Sequence, residues 1–488
     1  MKGGALYLFF LCLSFQSQLA AQELSTLKLN EVLHVYVLQS PVAQIEQKEY
    51  QNDLLQYENY RKGLLPSVSF SFNPVAFNRS LRLLQSPEDG SYSSVEDYAN
   101  SSSAGITISQ RIGLTGGSLQ IGTNLSYLNE FSDKRHSFTT SPFFISYSQQ
   151  LWGSRKLFLF DKKIQEAEHS ISIKKHCSKI SKIQEEVLEL FFIALSHQLE
   201  SELTLLNSAA NDTLLSIAKT KLAHGHITEY DYRQVELQTI ELQLNYRLAR
   251  KQYKESFRAL CTYLGLERSS GTLILPDFDL PSLIERQEVE YYVKQNNPTL
   301  TEQEMNRLEA EKDFFNAKME TRFNGNLSLN YGINQYAENF TDAYRHANKL
   351  QTVTLSFQIP IWQWGINRNK RKIARNTYQA RNLEIENTIR KFRDEIKECT
   401  DNYNHSVGLW QLSERAYKLS REQYQLAIKS FALGHVSVYE LTDALQKQHE
   451  TMLQFYSAMR DTYAAYYRLR GMALYDFKEK KNLEEIYL

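Results

Sequence analysis

Apolar residues recur every three or four positions along Leu188, Phe192, Leu195, Leu199, Leu203 and Leu206, which predicts one stripe on a long helix with seam-like spacing. On the following arm Val235, Leu237, Leu242, Leu244, Leu248 and Tyr253 alternate with Glu, Gln and Arg, the pattern of a helix packed on one side and wet on the other. Elsewhere the period drops to two. Val68, Phe70 and Phe72 alternate with Ser67, Ser69 and Ser71; Leu327, Leu329, Tyr331 and Ile333 alternate with Ser328, Asn330, Gly332 and Asn334; Val353, Leu355, Phe357 and Ile359 alternate with Thr354, Ser356 and Gln358. These segments predict strands with one apolar face and one small polar face.

Glycine and proline mark where the helices turn. No proline occurs between Pro142 and Pro276, and Gly225 is the sole glycine between Gly153 and Gly265; Pro360 is the last proline, with Gly408, Gly434 and Gly471 alone following Gly365. Because proline breaks helix interiors and glycine weakens them, two long helical tracts are expected, each folded once. Residues 156–223 and 366–432 would each span about 100 Å at roughly 1.5 Å per residue. The turns repeat one another: AHGHITEYDY begins at Ala223 and ALGHVSVYEL at Ala432, 209 positions later. The chain is therefore an internal duplication with glycine-marked hairpin tips.

The copies align along their length. Ser40-Pro41 opens the first and Asn297-Pro298 the second, a helix of about 25 residues follows each, and ISYSQQLW at Ile145–Trp152 matches LSFQIPIW at Leu355–Trp362. The expected organisation is a first repeat over 22–282, with strands near 66–73, 104–112, 117–128 and 143–151 and a hairpin over 156–265. A second repeat covers 283–488, with strands near 325–335 and 350–361 and a hairpin over 366–480. The polar tract Asn73–Ser103 is expected to be an external loop, and the linker around Leu266–Leu283 joins the repeats.

Composition narrows the class. The 488 residues carry 56 basic and 56 acidic side chains, and the mean hydropathy is −0.47, so neither a nucleic-acid footprint nor a helical membrane protein is indicated. Lys2, the apolar run Ala5–Phe15 and the small residues Ala20 and Ala21 predict a signal peptide over 1–21, and hence export. Cys177, Cys261 and Cys399 remain in the mature chain, an odd number at distant helical positions, which argues against a disulfide framework. His224, His226 and His435 have no carboxylate or thiol at ligand spacing, so no metal or cofactor is expected. The sequence carries no phosphate-binding glycine loop and no GxSxG elbow, and no enzyme is predicted.

In an exported chain the two-faced strands fit either a sandwich or a membrane barrel. The aromatic flank at Tyr331, Phe357, Trp362 and Trp364 favours the barrel, with Trp362, Trp364 and Tyr331 as membrane-interface residues. Two to four strands per copy cannot enclose a useful pore, so several protomers must share one barrel. Four strands per chain are preferred over a count that adds the hairpin at Gly116-Gly117.

The LLPSVSFSF segment at Leu64–Phe72, the QIPIWQWGINRNKRKIAR passage at Gln358–Arg375 and the paired tips together resemble the TolC family of outer membrane efflux proteins, over essentially the whole mature chain. The resemblance implies a mainly α chain with transmembrane β: a duplicated fold whose long helical hairpins form a periplasmic tube under a β-barrel shared by a homotrimer. It further implies passive conduction, in tripartite efflux or type I secretion, with an inner-membrane pump and a periplasmic adaptor as partners and outer membrane lipid around the barrel. Carried over by position, the adaptor-facing tips are Gly225, His226, Ile227, Gly434, His435 and Val436. Glu440 and Asp443 fall where family members place the acidic ring of the periplasmic gate, on one helical face, with Asp231 matching Glu440 in the first copy. Val436 departs from relatives that place a basic residue there, so closure is expected through packing, with Tyr230, Tyr439 and Phe431 as candidates. Twelve strands are preferred for the trimer, eighteen being the alternative. The competing reading is a secreted coiled-coil scaffold or adaptor without channel activity.

Overall fold

The computed structural model describes residues 26–85, 90, 92–131, 134–268, 270–276, 280, 281, 283–345, 348–433 and 435–487. The segment read as a signal peptide and Gly434 lie outside them. The chain forms two compact units. One gathers the described residues up to 52, 171–300 and those from 389 on; the other gathers 53–170 and 301–388.

In chain order the first repeat contains strand β1 (Thr26–Lys28), helix α1 (Pro41–Lys62), strands β2 (Ser67–Gln85), β3 (Tyr92–Ile112), β4 (Gly117–Glu130) and β5 (Arg135–Gln150), and the helices α2 (Ser154–Ala223) and α3 (Glu229–Leu264). After β6 (Thr272–Ile274), the second contains α4 (Arg286–Asn296), α5 (Pro298–Glu320), β7 (Asn324–Ala337), β8 (Asn348–Gln358), α6 (Ile366–Leu433) and α7 (Val438–Ala473). The proline at the start of α1 and of α5 occupies the helical position that has no use for its N–H. Ser40 and Asn297 cap the two helices, accepting from Ala43 N at 3.2 Å and Thr299 N at 2.8 Å.

Strands from both repeats join one antiparallel sheet in the order β2-β3-β4-β5-β7-β8, the repeats meeting where Ile145 of β5 pairs with Tyr331 of β7. The sheet holds six strands, which corrects the preference for four per chain. The tract expected to be an external loop is also corrected: β2 runs on to Gln85, and β3 begins at Tyr92 and pairs with it from end to end. The strands run from eleven residues in β8 to twenty-one in β3.

The helical unit is built on a core in which Phe191, Phe192 and Leu195 of α2 meet Phe257 and Leu260 of α3, Tyr403 and Val407 of α6, and Tyr463 and Tyr466 of α7. A parallel pairing of β1 with β6, Leu27 against Leu273, ties the linker to the chain's first described residues. The α2 stripe is buried at Leu188, Phe192 and Leu195, but Leu206 is 68% exposed. Beyond Leu195 the buried seam passes to Ser201, Thr204, Asn207, Ser208 and Asn211. A second apolar cluster follows near the tips, formed by Leu214, Ala218, Val235, Tyr424, Phe431, Val438 and Leu441.

Candidate functional site

The sheet has two chemically distinct faces. Cross-strand rows place Val68, Ile108, Ile121, Ile145 and Tyr331 side by side on one face, and Ser67, Ser109, Gln120, Ser146, Asn330 and Thr352 on the other. The apolar face is open. Val68, Phe70, Val353, Leu355 and Phe357 are all more than half exposed, whereas a sandwich would bury them in its core. On the polar face the hydroxyls of Ser67, Ser69 and Ser71 donate to the carbonyls of Ser109, Thr107 and Gly105 at 3.3 to 3.4 Å. A cavity of about 570 Å³ at its base is lined by Ser67, Arg111, Ser118, Ser148 and Asn326.

Aromatic side chains gather at both ends of the apolar face. At the helical end Trp152 lies 4.7 Å from Phe323 and 6.2 Å from Phe357, and Trp362 lies 5.5 Å from Trp364, both exposed. At the loop end Tyr98 lies 5.4 Å from Phe77, and Tyr127 5.0 Å from Phe138. Along β7 the two sets are separated by the stretch from Gly325, under Trp152, to Ala337, the partner of Phe138. Twelve residues at about 3.3 Å, tilted by about 40°, cover about 30 Å. Tyr331, expected at a membrane interface, stands halfway between the two sets along β7.

At the helical tips the two copies fold alike. Gly225 takes φ of 71° with open space where a Cβ would stand, the conformation for which glycine is suited. His226 N donates to Lys221 O at 2.9 Å and His435 N to Ser430 O at 2.9 Å, closing both helix ends with the same long-range turn bond. Gly225, His226 and His435 are exposed, while Ile227 and Val436 are partly covered.

The acids expected at a gate have a local task. Thr228 Oγ1 accepts from Asp231 N at 3.1 Å while Asp231 Oδ2 accepts from Thr228 N at 3.1 Å. Likewise Ser437 Oγ accepts from Glu440 N at 3.2 Å and Glu440 Oε2 accepts from Ser437 N at 2.8 Å. Both are capping boxes, placed at equivalent points of the two copies, and the Thr/Ser-x-x-Asp/Glu spacing was visible in the sequence. Hydrogen bonds from Ser437 hold the Glu440 carboxyl below its ordinary value of 4.5. Asp443, one turn on, is exposed on the same face.

Of the residues proposed to close the tip by packing, Phe431 is buried, whereas Tyr230 and Tyr439 are 77% and 74% exposed. A contact the sequence reading missed ties the hairpins together: the Lys221 ammonium donates to Phe431 O at 2.7 Å and lies 4.8 Å over the Phe431 ring. Among the described residues no cluster of His, Cys, Asp and Glu could hold a metal ion, and no helix is long and apolar enough to cross a membrane.

Residues 291–473 match the family model described as outer membrane efflux protein. No curated protein matches the chain by sequence. Among solved structures, a membrane protein from Pseudomonas aeruginosa is similar at a TM-score of 0.64 and 14% identity, covering 93% of this chain and 92% of that one. The Campylobacter jejuni CmeC outer membrane channel is similar at 0.63 and 13% identity, covering 94% and 88%, and the Vibrio cholerae outer membrane protein VceC at 0.62 and 10%, covering 91% and 95%. The family match lies within the second repeat, and the fold this chain shares with these structures extends through the first repeat as well.

Proposed function

We propose that three copies of this chain close one barrel in the outer membrane and continue it as a periplasmic tube. Through this duct substrates handed over by an inner-membrane pump and a periplasmic adaptor leave the cell, with no energy supplied by the chain itself. The observation that carries the reading is the open six-stranded sheet, with apolar side chains bare on one face, small polar ones on the other, and β2 and β8 unpaired at its edges. Bare strand edges and a bare apolar face are unstable in water, and both are covered when edges pair between copies and the apolar face meets lipid. Six strands from each of three copies make eighteen, a size at which barrels of this kind enclose a water-filled lumen. The roughly 30 Å between the two aromatic sets equals the thickness of a bilayer's hydrocarbon core.

The helical tips supply the gate and the adaptor contact in this reading. Asp443 is its better acid, because the Glu440 and Asp231 carboxylates are engaged in capping. Three-fold symmetry would gather the Asp443 carboxylates about the axis, favouring cations. The scaffold reading is disfavoured by the exposed Val68, Phe70 and Leu355, which a secreted soluble protein would cover.

Cysteines placed at Ser71 on β2 and Thr354 on β8, joined by a short bifunctional reagent in outer membranes, test the assembly. Cross-linked species that stop at three copies are expected from the double variant, and neither single variant should pass two. A double variant that stays monomeric, or builds an open-ended ladder, contradicts the shared barrel.

A further inference from the structure

From Asn348 to Leu383 the chain contains seven Lys and Arg residues and no Asp or Glu. Four of them, Arg368, Arg371, Lys372 and Arg375, follow one another at helical spacing on a single face of α6, all exposed. Arg371 is anchored, donating from Nε to Thr321 Oγ1 and from Nη2 to Thr321 O, each at 2.9 Å. Arg368, Lys372 and Arg375 have no ion-pair partner among the described residues.

This cluster begins directly below the exposed Trp362 and Trp364. At roughly 1.5 Å per residue, Arg368 lies about 6 Å and Arg375 about 16 Å beyond Trp364 along the chain. Lys and Arg stems are long enough to bring their charged ends back to the level of lipid headgroups. An uncompensated positive face continuous with an aromatic interface set has the chemistry of a phosphate-bearing bilayer surface.

We propose that Arg368, Lys372 and Arg375 form a docking face for the headgroups of anionic phospholipids in the leaflet at the end of the sheet where β8 leads into α6. The proposal rests on the reading that the sheet lies in a membrane.

The test is native mass spectrometry of the detergent-extracted mature protein equilibrated with mixed phosphatidylglycerol and phosphatidylcholine micelles, beside planar-bilayer conductance of the same samples. The wild type should retain phosphatidylglycerol in preference. The variant R368Q/K372Q/R375Q should lose that preference by about tenfold or more, while R368K/R375K keeps it and millimolar inorganic phosphate leaves it largely in place. A conducting wild type without preference, or a glutamine variant that keeps it, overturns the proposal alone. A shift in ion selectivity with lipid retention unchanged also overturns it, since the cluster would then face the pore. Failure of the wild type to conduct at all removes the membrane reading and this proposal with it.

Discussion

Asp443 and Glu440 look equivalent as carboxylates three residues apart, yet hydrogen bonding separates them. Glu440 is spent on the first turn of α7, so Glu440→Gln, which can still accept, should leave conductance and multivalent-cation block nearly unchanged. Asp443→Asn should raise conductance or relieve the block; equal effects of the two substitutions in single-channel recordings would contradict this division. Ser437→Ala removes the cap itself, at about 1 kcal/mol, and amide exchange in the first turn of α7 should quicken about fivefold. Because the folded Glu440 carboxyl titrates below its ordinary 4.5, its capping contribution is complete above that value and disappears as pH falls through the lower folded one. The protection factor at that turn, its exchange rate taken relative to the intrinsic rate at each pH, should therefore fall in acid, and a protection factor indifferent to pH between about 6 and 3 would contradict it. The cysteines behave as packing residues. Burial pushes the Cys177 thiol up to about 12 and raises Cys261 and Cys399 as well, so thiol reagents at neutral pH should react slowly until the protein unfolds.

At the scale of elements, the C-terminal segment is held by a buried charge. Arg470, fully buried on α7, donates to Asp476 Oδ2 at 2.6 Å and to Gln184 Oε1 at 2.8 Å, while Tyr466 donates to Asp476 Oδ1 at 2.8 Å. Gln184 in turn donates to Leu33 O at 2.8 Å, so one network joins α2, α7 and both ends of the described chain. Asp476→Ala leaves the guanidinium without its counter-charge and should cost about 3–5 kcal/mol, seen as a lower Tm and faster proteolytic loss of residues beyond 474. An unchanged Tm would show that the network is not structural. Its Gln184–Arg470 bond alone joins residues 286 positions apart, and no local pattern announced it. The helices, the tips and the alternating part of each strand were legible because period, glycine and proline report them directly. The distal α2 seam was not, since Ser201, Thr204 and Asn211 are buried polar residues that hydropathy does not flag; Asn211 is satisfied by donating to Thr239 Oγ1 at 2.7 Å. Nor were the upper parts of β2 and β3, which pair in register without the apolar and small-polar alternation of their lower parts. The capping boxes were legible but read first as a gate, because an acid near a tip fits either role.

For the whole molecule, the duplication explains why the compact units cut across the repeats. Each repeat supplies strands to one sheet and a hairpin to one helical bundle, so neither repeat closes a core alone. The sheet then has open edges and a bare apolar face, and in the proposed assembly both would be covered, by further copies of the same chain and by lipid. Closure would place the small polar residues of the other face around a water-filled lumen. The most direct measurement is single-channel conductance of the purified, detergent-extracted protein in a planar lipid bilayer, with its mass determined on the same sample. Trimers giving small, cation-selective steps are the expected result; a water-soluble protein that never conducts would contradict the channel and return the coiled-coil scaffold as the better reading.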